Sequence, residues 1–148
     1  MAKELNAERI TQLLSEQIVG RIGCHADGVT YIVPVTYVYD GEFIYAHSKE
    51  GMKTTIMNKN PDVCFQVDEI LNLATWWSVV IWGRFEEIHG DEREKAIKLL
   101  IEKIMTLLEE RRSLPAHGAI EHAQAAAVRE AIWYRIRIIN KTGRYEIN

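Results

Sequence analysis

The fold is decided by residues 30–47, which read TYIVPVTYVYDGEFIYAH. Two runs rich in β-branched and aromatic residues flank the pair Asp40-Gly41, and a second such pair, Asp27-Gly28, precedes the first run. An Asp-Gly pair between strand-like runs is a strong hairpin signal, because both turn positions favour positive φ. The sequence therefore predicts a three-strand antiparallel meander over residues 18–25, 30–39 and 42–47.

The rest of the chain predicts three more strands and three helices. Helical spacing of Ile10, Leu13 and Leu14 indicates a short amphipathic helix near the start. Asp91 is predicted to cap a long helix, with Glu94 reaching back in a capping box. Residues 113–128 fit either a further helix or a loop. The other predicted elements are helices at 6–17 and 52–59, and strands at 63–68, 78–88 and 132–139.

This order of elements predicts the fold class. Six strands with few long connections favour a mainly β, α+β architecture, in which a closed antiparallel barrel carries flanking helices, over a doubly wound parallel sheet. The 148 residues contain no internal repeat and no linker long enough to divide them, so we predict a single domain over residues 1–148.

Composition excludes several classes of protein. A hydrophobic fraction of 47% and a charged fraction of 26% are typical of a globular protein. A net charge of −3 gives no electrostatic reason to expect nucleic acid or an acidic membrane as partner. The first residues lack the apolar core of a signal peptide, which predicts a cytoplasmic protein. Cys24 and Cys64 lie in apolar, strand-like contexts that favour reduced thiols, although a disulfide stays open.

The segment from His47 to Thr55 predicts an anion site. It follows a predicted strand and opens a short predicted helix, with Lys53 in the first turn. A lysine is mildly unfavourable there, because the helix start carries unpaired N–H groups and a partial positive charge. The position makes sense where a phosphate binds. The alternative is a solvated lysine on a surface helix.

Pro34 interrupts an otherwise continuous strand, residues 31–37. Proline cannot donate to a sheet ladder, so it belongs on an edge, at a bulge or where a sheet opens. An opening would leave neighbouring backbone groups free to bind a ligand. An ordinary edge-strand proline is the alternative.

Several runs, taken in order, are typical of one family. They are 33–41, 43–48, Gly51, Lys53, Asn60-Pro61, 63–65, 77–87 and 142–144. In this order and spacing the chain resembles the pyridoxamine 5'-phosphate oxidase-like FMN-binding split-barrel family, specifically its nitroimidazole-resistance branch. The resemblance is dense over residues 18–88 and thin over the helices that follow.

The resemblance implies a six-stranded antiparallel split β-barrel that forms a homodimer and binds FMN at the subunit interface. By position, Val35, Thr36 and Tyr37 would present backbone and side-chain groups to the isoalloxazine ring. His47 and Ser48 would lie at the end of the next strand, near the flavin.

The same resemblance assigns the phosphate and the chemistry. Lys53 and Thr54 would hold the FMN phosphate, and Ser78 is a weaker candidate for a flavin contact. His47 is the candidate catalytic residue, as an acid or a substrate-orienting donor, because an imidazole titrates near neutrality. A plain hydrogen bond across the site is its alternative role.

These implications predict an FMN-dependent oxidoreductase that reduces a small organic or nitro-aromatic compound with nicotinamide-derived electrons. Additional arginines that hold the substrate phosphate in the oxidases proper have no equivalents here, so pyridoxamine phosphate oxidation is doubtful. The chain has no glycine-rich dinucleotide fingerprint, so a nicotinamide donor would bind transiently. Two alternatives stay open: a flavin carrier or redox sensor without robust turnover, and a split barrel that binds haem or F420.

Two other patterns that contain histidine do not predict a site. His117, Glu121 and His122 do not match the metalloprotease helix pattern, so no metal is predicted. Cys24 and His25 are adjacent in a predicted strand and should point to opposite faces, which disfavours a reactive pair.

Overall fold

The computed structural model of the protein describes residues 1–110 and 130–148. The helices within them are α1 (Ala7–Glu16), α2 (Met52–Lys59) and α3 (Gly90–Glu110). The strands are β1 (Lys3–Glu4), β2 (Val19–Ala26), β3 (Val29–Tyr39), β4 (Phe43–Ser48), β5 (Asp62–Asn72), β6 (Thr75–Glu87) and β7 (Ile132–Glu146). No helix in these two ranges is both long and apolar enough to span a bilayer.

Six of the strands close into an antiparallel barrel, as predicted. Around the ring they follow the order β7, β4, β3, β2, β5, β6, and β6 pairs with β7 to close it. Closure depends on the 15 residues of β7, which pair with β4 over their first part and with β6 along most of their length. The short β1 adds to the free side of β7.

Several predicted boundaries were wrong. β5 and β6 extend beyond the prediction and meet in a hairpin at Asn72–Thr75, and β7 continues past Ile139 to Glu146. α3 begins at Gly90, so Asp91 lies within its first turn and is not the N-cap. The predicted helix or loop at 113–128 falls outside the described residues.

Two apolar clusters stabilise this arrangement. The larger fills the barrel, where alternate residues of each strand point inward, and includes the fully buried Ile22, Phe65 and Ile81. The smaller lies outside the barrel wall, where Leu100 of α3 joins Trp133 of β7 in one cluster. The helix thus covers one outer part of the sheet, over β3, β4 and β7.

The two cysteines are free thiols on opposite faces of the barrel wall. Cys24 points into the core and is 3% exposed, whereas Cys64 lies half-buried on the outer face. His25, next to Cys24, is exposed and hydrogen-bonds the Thr30 hydroxyl. The two cysteines form no disulfide with each other, and the predicted separation of Cys24 from His25 is confirmed.

Gly83 is a point where the barrel tolerates no side chain. It lies at a register shift between β6 and β7, and a Cβ added there would be 2.4 Å from the Arg137 carbonyl oxygen. Backbone cannot yield as a flexible side chain can. We therefore expect Gly83→Ala to lower the free energy of unfolding by about 2–3 kcal/mol, the scale of overpacking, measured by chemical denaturation.

Gly51→Ala is the matched control. Gly51 has extended backbone with φ 178°, and a Cβ there meets nothing within 4 Å. Its stability should change by less than about 0.5 kcal/mol. Equal stability of the two variants would contradict the close approach at Gly83.

Candidate functional site

The barrel splits where β3 changes partners. β3 pairs with β2 over residues 29–36 and with β4 over residues 37–39. β4 continues for two residues, His47 and Ser48, which pair with β7. Thr36 therefore stands at a gap, at the position where the ladder would next have paired it with His47. α2 begins just beyond β4, so its first turn lies at the same gap.

Pro34 lies on the edge of β3 that β4 leaves unpaired. Its own cross-strand partner is Arg21 of β2, on the other side. This unpaired edge fits both the predicted opening of the sheet and an ordinary edge-strand proline. The backbone of β3 beside it is consequently available to a ligand.

Lys53 brings an unneutralised cation to this gap. It is half-buried in the first turn of α2, and it forms no hydrogen bond or ion pair with any described residue. Burial lowers the pKa of Lys53, and the nearby Cys24 thiol opposes this shift. Because the N-cap residue Gly51 has no side chain to accept from the first helix N–H groups, these groups and the charge of Lys53 both favour an anion.

Thr54 closes the start of α2 with its side chain. Its hydroxyl accepts a hydrogen bond from the Gly51 N–H and lies 3.0 Å from the Gly51 carbonyl oxygen, to which it donates. The residue is 3% exposed. Thr54 therefore has its backbone N–H, rather than its hydroxyl, to offer to a phosphate.

Most of the other predicted site residues on β3 and β4 have side chains that are already hydrogen-bonded or buried within the chain. Ser48 donates to the Lys49 carbonyl at 2.7 Å. Tyr37 is fully buried, and its hydroxyl donates to the Leu14 carbonyl at 2.6 Å. Val35 points into the core, so Thr36 is the member of the β3 triplet with a half-exposed side chain.

His47 lies on the outer side of β4 with its ring against Trp133. The two ring centroids are 4.8 Å apart and the planes are inclined at 33°. Burial, and then the positive charge of Lys53, lowers the pKa of His47. The imidazole is therefore neutral at pH 7, able to donate from one nitrogen and accept at the other. Trp133 was missed from the sequence, because nothing local pairs it with His47.

Ser78 lies on β6, three strands around the barrel from Thr36 on β3, and its cross-strand partner in β5 is Asp68. Its hydroxyl accepts a hydrogen bond from the Gln66 amide at 3.0 Å. Asp68 accepts a second bond from that amide and pairs with Arg21 at 3.2 Å. Within one chain Ser78 thus belongs to a separate polar cluster.

An apolar row crosses the outer face of the barrel. It consists of Ile32, Gly23, Cys64 and Trp82, in direct register across β3, β2, β5 and β6. The row of Pro34, Arg21, Gln66 and Val80 separates it from Thr36. Ile32 is 67% exposed and Trp82 is 46% exposed. An exposed apolar face of this kind marks an interaction surface.

Metal ligands do not gather elsewhere in the described ranges. Residues 1–110 and 130–148 contain no group of three His, Cys, Asp or Glu side chains that could hold a metal ion. The predicted histidine pattern at His117, Glu121 and His122 lies outside these ranges.

Proteins of known structure share the fold of this chain. The chain is 30% identical to a FAD-binding protein of Mesorhizobium loti, whose structure covers 99% of both chains with a TM-score of 0.73. A protein of Bacteroides thetaiotaomicron, described as a candidate 5-nitroimidazole antibiotic resistance protein, shares the fold at 18% identity, covering 98% of this chain and 87% of its own with a TM-score of 0.73.

A curated relative matches part of the sequence. An uncharacterized protein of Rhizobium meliloti is 39% identical over 70 residues, which cover 47% of this chain and 46% of the relative. The match thus spans about half the length of that protein. The profile of one family, described as pyridoxamine 5'-phosphate oxidase, matches residues 6–145. With the split barrel and its gap, this match shows that the chain belongs to the pyridoxamine 5'-phosphate oxidase-like split-barrel family.

Proposed function

We propose that the protein is an FMN-binding flavoprotein, and that it is an oxidoreductase acting on a small organic or nitro-aromatic compound. One observation carries the proposal: Lys53, half-buried and without a partner among the described residues, lies in the first turn of α2 beside the gap in the barrel. A phosphate fits this helix start, and the unpaired edge of β3 fits a polar ring. The family of the chain and its FAD-binding relative support a flavin.

FMN is the flavin proposed because the helix start offers one lysine and a few N–H groups to a terminal phosphate. These groups would bind the phosphate, while Thr36 and the β3 backbone orient the ring. His47, neutral at pH 7, would orient a substrate as a hydrogen-bond donor or supply a proton. The bound flavin supplies the hydride or electron transfer, and the protein supplies position and electrostatics.

The proposal includes a homodimer. The exposed row that contains Ile32 and Trp82 lies on the same outer face as Thr36, with Pro34 between Ile32 and Thr36 on β3. A second copy seated on this face would extend over the flavin gap. It would also bring the polar cluster around Ser78 of one chain toward the flavin gap of the other. Ser78 then becomes a flavin contact across the interface, rather than within one chain.

Chromophore analysis tests the cofactor. The purified protein is expected to show flavin absorbance, and the chromophore released by denaturation should have the mass of FMN. Release of FAD would correct the cofactor, and a Soret band or F420 would overturn the flavin proposal. An apoprotein that takes up no FMN on titration would also contradict it.

Anaerobic reduction tests the enzyme. An oxidoreductase should be bleached by NADH or NADPH and then reoxidised by a nitro-aromatic acceptor over repeated cycles. A protein that holds FMN but is not reduced by either donor would instead be a carrier or sensor. The two outcomes separate catalysis from binding alone.

A further inference from the structure

Lys103 is a lysine that the proposed FMN site does not explain. It projects from α3, and its ammonium donates to the carbonyl of Gln17, the C-cap residue of α1. The same ammonium lies 4.5 Å from the centre of the Tyr37 ring. One cation thus joins three elements: α3, the end of α1 and β3.

Tyr37 is the residue at which the barrel divides. It is the first residue of β3 in the β4 ladder, and Thr36 is the last in the β2 ladder. Its hydroxyl donates to the Leu14 carbonyl, and its N–H donates to the Ile18 carbonyl at 3.0 Å. Its ring meets Phe65 edge-on, with centroids 5.0 Å apart. The place of Thr36 therefore depends on how firmly α1 and Tyr37 are held together.

The position of Lys103 costs stability that its packing does not require. Burial lowers the pKa of Lys103 to about 8, and the lysine forms no ion pair with a described residue. The last turn of α1 has no basic residue of its own, so Lys103 supplies the cation that the carbonyl end of a helix favours. A methionine of similar length would fill the space without a charge to bury. The contacts of the ammonium with the Gln17 carbonyl and the Tyr37 ring point to a role beyond packing.

We propose that Lys103 is a positioning residue for the flavin-ring part of the site: its ammonium clamps the end of α1 onto the face of Tyr37 and thereby fixes Thr36 at the gap. This inference rests on the proposed flavin function. The clamp acts when Lys103 is protonated, because the neutral amine loses both the strong carbonyl bond and the attraction to the ring. It therefore weakens as pH rises through about 8.

Other charged groups lie near Lys103 or the ring site, and their pH dependence must be distinguished from that of Lys103. Glu16 of α1 and Glu102 and Glu110 of α3 line the groove that contains Lys103, and the buried Tyr37 ring of β3 contacts the Lys103 ammonium. Lys53 and His47 lie at the ring and phosphate site itself. A variant at Lys103 distinguishes them, because those groups would keep their own pH dependence.

The test compares Lys103→Met, Lys103→Arg and the exposed control Lys98→Met. In the wild type, flavin affinity, measured by fluorescence quenching, should fall about tenfold between pH 7 and pH 9.5. Lys103→Met should bind about tenfold more weakly at pH 7 and lose that pH step, with a melting temperature equal to or above that of the wild type. Lys103→Arg should keep the affinity to higher pH, and Lys98→Met should match the wild type.

Hydrogen exchange of the apoprotein gives a readout without flavin. The peptide that contains Tyr37 should exchange faster in Lys103→Met than in the wild type, and at the wild-type rate in Lys98→Met. If the wild type binds flavin and Lys103→Met shows the same affinity, pH profile and exchange, the inference is wrong while the proposed function stands. If the wild type binds no flavin at all, the proposed function fails first and the inference falls with it.

Discussion

Lys53→Ala is expected to weaken FMN binding by ~1.5–3 kcal/mol, or about 10- to 150-fold in Kd, the scale of a charge-assisted hydrogen bond. The reason is local. Lys53 has no described partner to lose, so its removal should leave the fold intact and take away the cation that faces the anion. Burial already lowers the pKa of Lys53, and a bound phosphate would stabilise the charged form. Titration of apoprotein with FMN measures the change.

Lys59→Ala is the matched control for Lys53. Lys59 lies on the same helix, at its last turn, where it pairs with Asp27 at 2.8 Å and stays exposed. Its loss should change FMN affinity by less than about twofold, since it removes the same charge from the far end of α2. Riboflavin, which lacks the phosphate, should bind the wild type and Lys53→Ala alike. Equal FMN affinity of Lys53→Ala and the wild type would place the phosphate elsewhere.

Much of the fold was predictable because its turns carry strong local signals. Asp27-Gly28 has the expected conformation, with positive φ at both residues. In the second pair only Gly41 has positive φ, and the Asp40 carboxylate instead accepts from the N–H groups of Glu42 and Phe43. The hairpin of β5 and β6 was missed because its turn has no glycine. Its signal was Asn72, whose side chain accepts a hydrogen bond from the Ala74 N–H at 2.8 Å.

The length of β7 was missed for a tertiary reason. Gly143 looks like the end of a strand, yet it lies within β7 and pairs with Val79. A Cβ there would be 2.9 Å from side-chain atoms of Leu5 and Ile10. The glycine is required by the approach of the N-terminal segment, which a local pattern cannot reveal.

The site residues likewise fall into those that local sequence predicts and those that depend on tertiary contacts. Lys53 lies in the first turn of α2 as predicted, because a strand, a glycine and a helix follow one another directly in sequence. The roles of Tyr37 and Thr54 depend on partners that are fixed by folding: Leu14 from α1 and the Gly51 backbone. Nothing in the local sequence predicts the roles of Lys103 and Trp133, because each contacts a residue more than fifty positions away.

Ile32→Glu is expected to convert the protein to a monomer and to abolish tight flavin binding. Ile32 is 67% exposed in the single chain, so the substitution should leave the barrel folded. In the proposed dimer the glutamate would be buried in the apolar row with Gly23, Cys64 and Trp82. An unpaired buried carboxylate costs several kcal/mol, and a symmetric interface carries that cost twice.

Ile147→Glu provides the control for this experiment. Ile147 is exposed to a similar degree, 63%, but lies after β7 near the end of the chain and outside the row of Ile32. Light scattering should show a dimer for the wild type and Ile147→Glu, and a monomer for Ile32→Glu with unchanged circular dichroism. FMN titration on the same samples links assembly to the site. The monomer should bind FMN weakly, because the gap at Thr36 loses its cover. A monomeric Ile32→Glu variant that still binds FMN like the wild type would instead mean that one chain forms the whole site.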